Sequence, residues 1–92
     1  MNGDTATCGA FVSHSGASAR VQVILQRSTN GGVTYSDVAT VANVTSTNRF
    51  IVAEGSRSGL NTNHMHRTRV VVTVFNASGQ IIDSGTAFSP GV

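Results

Sequence analysis

The chain has 92 residues, a formal net charge of +2 and 11% charged side chains, where about 25% is usual for a soluble domain. That length suits one domain with a modest core. Six arginines and no lysine stand against four acids, dispersed along the chain, which makes no phosphate-binding face and argues against nucleic acid as a partner.

The first five residues, Met1-Asn-Gly-Asp-Thr5, lack a basic region followed by an apolar run, so no signal peptide is expected. A strand over residues 5–12 follows, ended by Ser13-His-Ser-Gly16. Within it lies the single cysteine, Cys8, which cannot form an internal disulfide. It reads either as a small buried apolar residue or as a link between chains. Residues 19–27 alternate, with Val21, Val23 and Leu25 on one face and Arg20, Gln22 and Gln26 on the other, the period of a half-buried strand. Asn30-Gly31 reads as a tight hairpin turn into a third strand over residues 34–41. Residues 43–47 are polar and turn-like, residues 49–53 form a short fourth strand, and residues 54–63 are the longest loop candidate. Residues 65–75 form a fifth strand with Val70, Val72 and Val74 facing one way and Val71 and Phe75 the other. Asn76-Ala-Ser-Gly79 connects it to a last strand over residues 80–88, and Ser89-Pro-Gly91 ends pairing.

No stretch of ten residues carries helical apolar spacing, and none is long and apolar enough to span a membrane. The fold class is therefore all-β. Six to seven short strands with turns every eight to twelve residues predict an antiparallel β-sandwich, residues 1–92 forming a single domain, with a small closed barrel as the competitor.

The strand run, above all Arg67-Thr-Arg-Val-Val-Val-Thr-Val-Phe-Asn-Ala-Ser-Gly-Gln-Ile-Ile82, resembles the closing hairpin of immunoglobulin-like and fibronectin type III-like bacterial or phage modules. The paired cysteines and the tryptophan of antibody domains are missing, so the resemblance implies a fold that hosts many functions. Ser28-Thr-Asn-Gly-Gly-Val-Thr-Tyr35 is similar to the Asp-box hairpin, Ser-x-Asp-x-Gly-x-Thr-Trp, with Asn30 in place of the aspartate and Tyr35 in place of the tryptophan. The resemblance implies polar side chains bracing the turn and an aromatic ring packed beneath it. In that family the motif is structural and lies away from catalytic centres.

Chemistry-bearing constellations are few. His64-Met-His66 places two imidazoles on one face of an extended segment, where both can meet a metal ion if His14 or Asp83 supplies a third ligand. The other readings are a polar strand entry and a pH-sensitive contact. The four acids, Asp4, Asp37, Glu54 and Asp83, form no close pair. No serine sits in Gly-x-Ser-x-Gly, and Cys8 has no neighbouring charge, so no enzyme is expected and no cofactor is implied. One tyrosine and no tryptophan argue against a sugar-stacking platform.

A structural or interaction role remains. Ile24, Val71 and Phe75 form either an exposed apolar strip or a face covered by a second layer. With Arg20, Arg27, Arg67 and Arg69 they are the expected interface to a protein partner or to a second copy, arginine being favoured at interfaces by its planar fork. The expected role is a non-enzymatic module of a surface assembly, either a virion decoration or tail component or an extracellular fibre. The alternatives are a small secreted bacterial ligand-binding domain and a metal-binding module using His64 and His66.

Overall fold

The structure, a computed structural model, describes residues 3–89 and 91. Six strands follow in chain order: β1 (Ala6–Ser13), β2 (Ser18–Ser28), β3 (Ser36–Ser46), β4 (Phe50–Arg57), β5 (Met65–Phe75) and β6 (Ile81–Phe88). They form a two-stranded sheet, β1–β4, and a four-stranded sheet in the order β3–β2–β5–β6, every pairing antiparallel. No helix occurs among the described residues.

Alternation builds the core between the sheets. From β2, Ala19, Val21, Val23 and Leu25 are wholly enclosed; Ala6 and Cys8 of β1, Ile51 and Ala53 of β4 and Val74 of β5 meet them. Each large apolar side chain so buried contributes about 1.5–3 kcal/mol. Cys8 therefore behaves as a small core residue.

Three local expectations need correction. Residues 43–46 are not a turn; they extend β3, with Val44 opposite Val21 and Ser46 opposite Ala19. Ala42 and Val44 turn towards the core while Asn43 and Thr45 face solvent, so the polar residues that looked turn-like are the outer half of an alternating strand. Residues 54–57 are not loop; they extend β4 along β1, Glu54 opposite Gly9 and Arg57 opposite Ala6. Backbone pairing, which polar residues satisfy as well as apolar ones, carries the strand through them.

The third correction concerns Asn30-Gly31, which is not a two-residue hairpin turn. Residues 29–35 connect β2 and β3, with positive φ at Gly31 (75°) and Gly32 (91°) and at no non-glycine residue among those described. Side chains hold the loop. The Ser28 hydroxyl donates to Asn30 Oδ1 (2.8 Å) and accepts from Gly32 N (2.8 Å). Asn30 Oδ1 also accepts from Thr34 N (3.0 Å), and Asn30 Nδ2 donates to Thr34 Oγ1 (2.7 Å). Replacing Asn30 by Ala strands these groups and is expected to cost about 1–2 kcal/mol. Asn30→Asp keeps the acceptor and is expected to melt close to the parent in a thermal scan. Equal melting of both variants with the parent would remove the brace from the account. The expected end of pairing at Ser89-Pro-Gly91 falls partly on Pro90, outside the described residues.

The layers are unequal. β4 lies beside β3, where a Cβ built on Gly55 would fall onto the Val41 carbonyl oxygen. β1 lies over β2 and β5, and among the described residues no strand lies over β6, all eight residues of which are exposed.

Candidate interaction surface

The outer face of the large sheet collects most of the expected interface. Directly opposite residues of an antiparallel pair share a face, so Arg20 and Ile24 on β2 and Arg67, Arg69, Val71 and Phe75 on β5 project together. Arg27 has the opposite phase. It lies at the end of β2, exposed, opposite His66. Ile24 is not part of an exposed strip: it is 8% exposed, between Thr40 of β3 and Arg69 of β5, while Val71 and Phe75 are half-buried. The cover comes from neighbours on the same face, not from the second layer.

Three of the arginines, Arg20, Arg67 and Arg69, are engaged within the fold. Arg67 is stacked between two rings, its guanidinium 4.0 Å from the centroid of Tyr35 and 4.2 Å from that of Phe88. Its Nε donates to Gln26 Oε1 (2.7 Å), and Gln26 Nε2 donates to Asp37 Oδ1 (2.8 Å). Arg69 Nη1 pairs with Asp37 Oδ2 at 3.4 Å. Arg20 sits 5.8 Å from the Phe75 centroid. Aromatic faces attract cations through their quadrupole, so these contacts tie β2, β3, β5 and β6 together on one face. They also place Tyr35 under the braced loop, its hydroxyl near Gly32.

The histidine pair separates into unlike partners. His66 points inward and is 2% exposed, whereas His64 precedes β5 and is half-buried. Asp83 sits opposite Val74, eight positions from His66 and so about 26 Å along β5. The His14 ring donates through Nε2 to the Asn48 carbonyl (2.7 Å). Neither His14 nor Asp83 completes a ligand set, and no group of three His, Cys, Asp or Glu gathers among the described residues.

Burial holds the His66 pKa below its ordinary value of 6.5, and the charges of His64 and Arg27 push the same way, the His64 backbone offsetting part of it. Neither His66 ring nitrogen finds a hydrogen-bond partner of normal geometry among the described residues. The sign follows from linkage: the unfolded chain takes up a proton as pH falls through 6.5, while the folded chain resists it, so this contribution is full above that pH and is lost below it. Thermal midpoints are expected to fall on acidification from about pH 7.5 to 5.5, and less so in His66→Leu. An identical slope in both proteins would remove His66 as the cause.

Sequence reasoning missed the surfaces that are most open. Phe11 is 69% exposed, Phe50 59% and Val52 64%. All three lie on the outer face of the small sheet. The Phe11 and Phe50 rings stack with centroids 5.9 Å apart, and Val52 sits opposite Phe11. The phase of β1 carried this signal, because Ala6 and Cys8 inward require Phe11 outward. On the other side of β1, its free edge borders an open trough. One cleft of about 600 Å³ is lined by Val12, His14, Val72, Val74, Ile82 and Asp83 among others. A second, of about 380 Å³, is lined by Ala10, Val12, Val70, Val72, Ala87 and Phe88 among others. The shared Val12 and Val72 join them end to end. No hydrogen bond links His14 to Asp83 or to a serine among the described residues.

Comparison with known proteins found no matching family model, no matching curated protein and no matching solved structure.

Proposed function

We propose that this chain is a non-enzymatic structural and interaction module that associates through exposed sheet faces, as a virion decoration or tail component or an extracellular fibre does. The observation that carries the reading is the Phe11, Phe50 and Val52 cluster, three large apolar side chains side by side on a face that nothing among the described residues covers. Monomers rarely leave such clusters in water. A charged fraction of 11% supplies little repulsion to oppose contact. The strand order supports the finer reading of an immunoglobulin-like sandwich. β1 and β4 facing β3, β2, β5 and β6 match strands B and E facing C′, C, F and G, with the first strand lacking.

Light scattering across concentration tests the role. The molar mass is expected to rise well above the 9.5 kDa of one chain. It is expected to survive chelator, and to survive reductant because Cys8 is 3% exposed. A clean monomer throughout the concentration range overturns self-association as the role.

A further inference from the structure

The geometry points to a strand-accepting slot: the free edge of β1 together with the uncovered inner face of β6 forms a docking site for one extended, alternating apolar segment of another polypeptide, with a basic residue at the end nearest Asp83. This deepens the interaction-module reading and rests on it. Among the described residues β1 is paired on one side only, so its other edge presents unpaired N–H and C=O groups over eight residues. Such an edge is a template for an added strand.

The floor beside that edge is already shaped. The inward positions of β5 and β6, Val70 and Val72 with Ala87 and Gly85 opposite them, lie under the place a further strand of the small sheet would take. Gly85 and Ala87 leave it open, and a Cβ built on Gly85 meets nothing within 4 Å. Side chains at alternate positions of a docked strand would fill this floor, while its backbone completed the ladder with β1. Asp83, which forms no ion pair among the described residues, lines the end of the trough next to His14. It favours an arginine or lysine in the guest.

A second copy does not satisfy this slot through its own β1. Antiparallel β1–β1 pairing about a two-fold axis keeps both large sheets on the same side. β6 extends beyond β1, so the two β6 strands would then compete for one place. The slot is one strand wide. No segment outside the strands within residues 1–92 offers eight alternating apolar residues either, the longest being the polar residues 58–64 and 29–35.

The test uses the 92-residue protein and a panel of ten-residue peptides that alternate threonine with Ala, Val, Ile, Leu or Phe and end in arginine, glutamate or neither. Binding is read by amide hydrogen exchange and by NMR shifts. At least one arginine-ended member is expected to protect Ala6–Ser13 amides and to shift Val70, Val72 and Ala87. It should bind at least fivefold more tightly than its glutamate-ended counterpart. Gly85→Leu puts a branched side chain on the floor at a position where a Cβ meets nothing within 4 Å. It is expected to keep the melting temperature and weaken peptide binding at least tenfold. If no peptide protects β1, or if Gly85→Leu binds as the parent does, the slot is overturned. The Phe11 and Phe50 surface is read separately by molar mass, so a monomeric protein that still accepts the peptide overturns self-association and leaves the slot standing.

Discussion

Gly55→Ala is expected to lower the thermal midpoint by about 12–24 °C, the effect of about 3 kcal/mol in a domain of this size. Gly55 is an inward position of β4, in phase with Ile51 and Ala53, and there β4 passes over β3. A methyl group would fall onto the carbonyl oxygen and carbon of Val41. The obstacle is backbone, which cannot rotate away as a side chain can, so the edges of the two sheets must separate. That separation unpacks Ile51 and Ala53 from Val21 and Val23. Total stability at this size is about 5–14 kcal/mol, so the loss is a large fraction of it. Gly85→Ala is the control: also mid-strand, but with open space at its Cβ, it is expected to melt at or slightly above the parent. Calorimetry on the two variants decides the matter, since equal midpoints would mean that β4 and β3 do not approach as described.

The double variant Phe11→Ser, Phe50→Ser is expected to weaken self-association by at least about 30-fold, on the scale of one lost hot-spot contact of about 2 kcal/mol. It should move the midpoint by only a few degrees. The rings are 69% and 59% exposed, so the monomer loses little buried area. What it does lose is their mutual stacking at 5.9 Å, worth about 0.5–1.5 kcal/mol. A partner surface covering both rings loses far more. Val33→Ser, at the tip of the braced loop and 79% exposed, is the matched control and should leave association unchanged. Sedimentation velocity across concentration separates the outcomes: unchanged association in the double variant would move the interface off the small sheet.

The existence and type of the strands were legible because alternation is a local property. Val21, Val23 and Leu25 fell on one face of β2, and Val70, Val72 and Val74 on one face of β5, and the structure turns both sets towards the small sheet. The ends of β3 and β4 were not legible. Asn43, Thr45, Glu54 and Ser56 are polar, and they became strand because a neighbouring backbone was there to pair with. The Asn30 loop was half legible: glycine was needed for positive φ, but only the Ser28, Asn30 and Thr34 side chains together explain why it is longer than a tight turn.

For the surface, residue type alone did not say what each side chain touches. Arg67 looks like an interface arginine and is held between Tyr35 and Phe88; Ile24 looks exposed and is covered by its neighbours on the same face. By itself, the sequence determined the all-β class, which residues of β2 and of β5 share a face and the scarcity of charge, since these follow from residue identity and a period of two. Tertiary structure alone decided which sheet each strand joined, and therefore that a two-stranded sheet lies on a four-stranded one. That mismatch leaves β6 without a covering strand and the β1 edge unpaired among the described residues, and the β1–β4 pairing sets Phe11 beside Phe50. Such features arise from pairings between residues far apart in the chain, which no local pattern encodes.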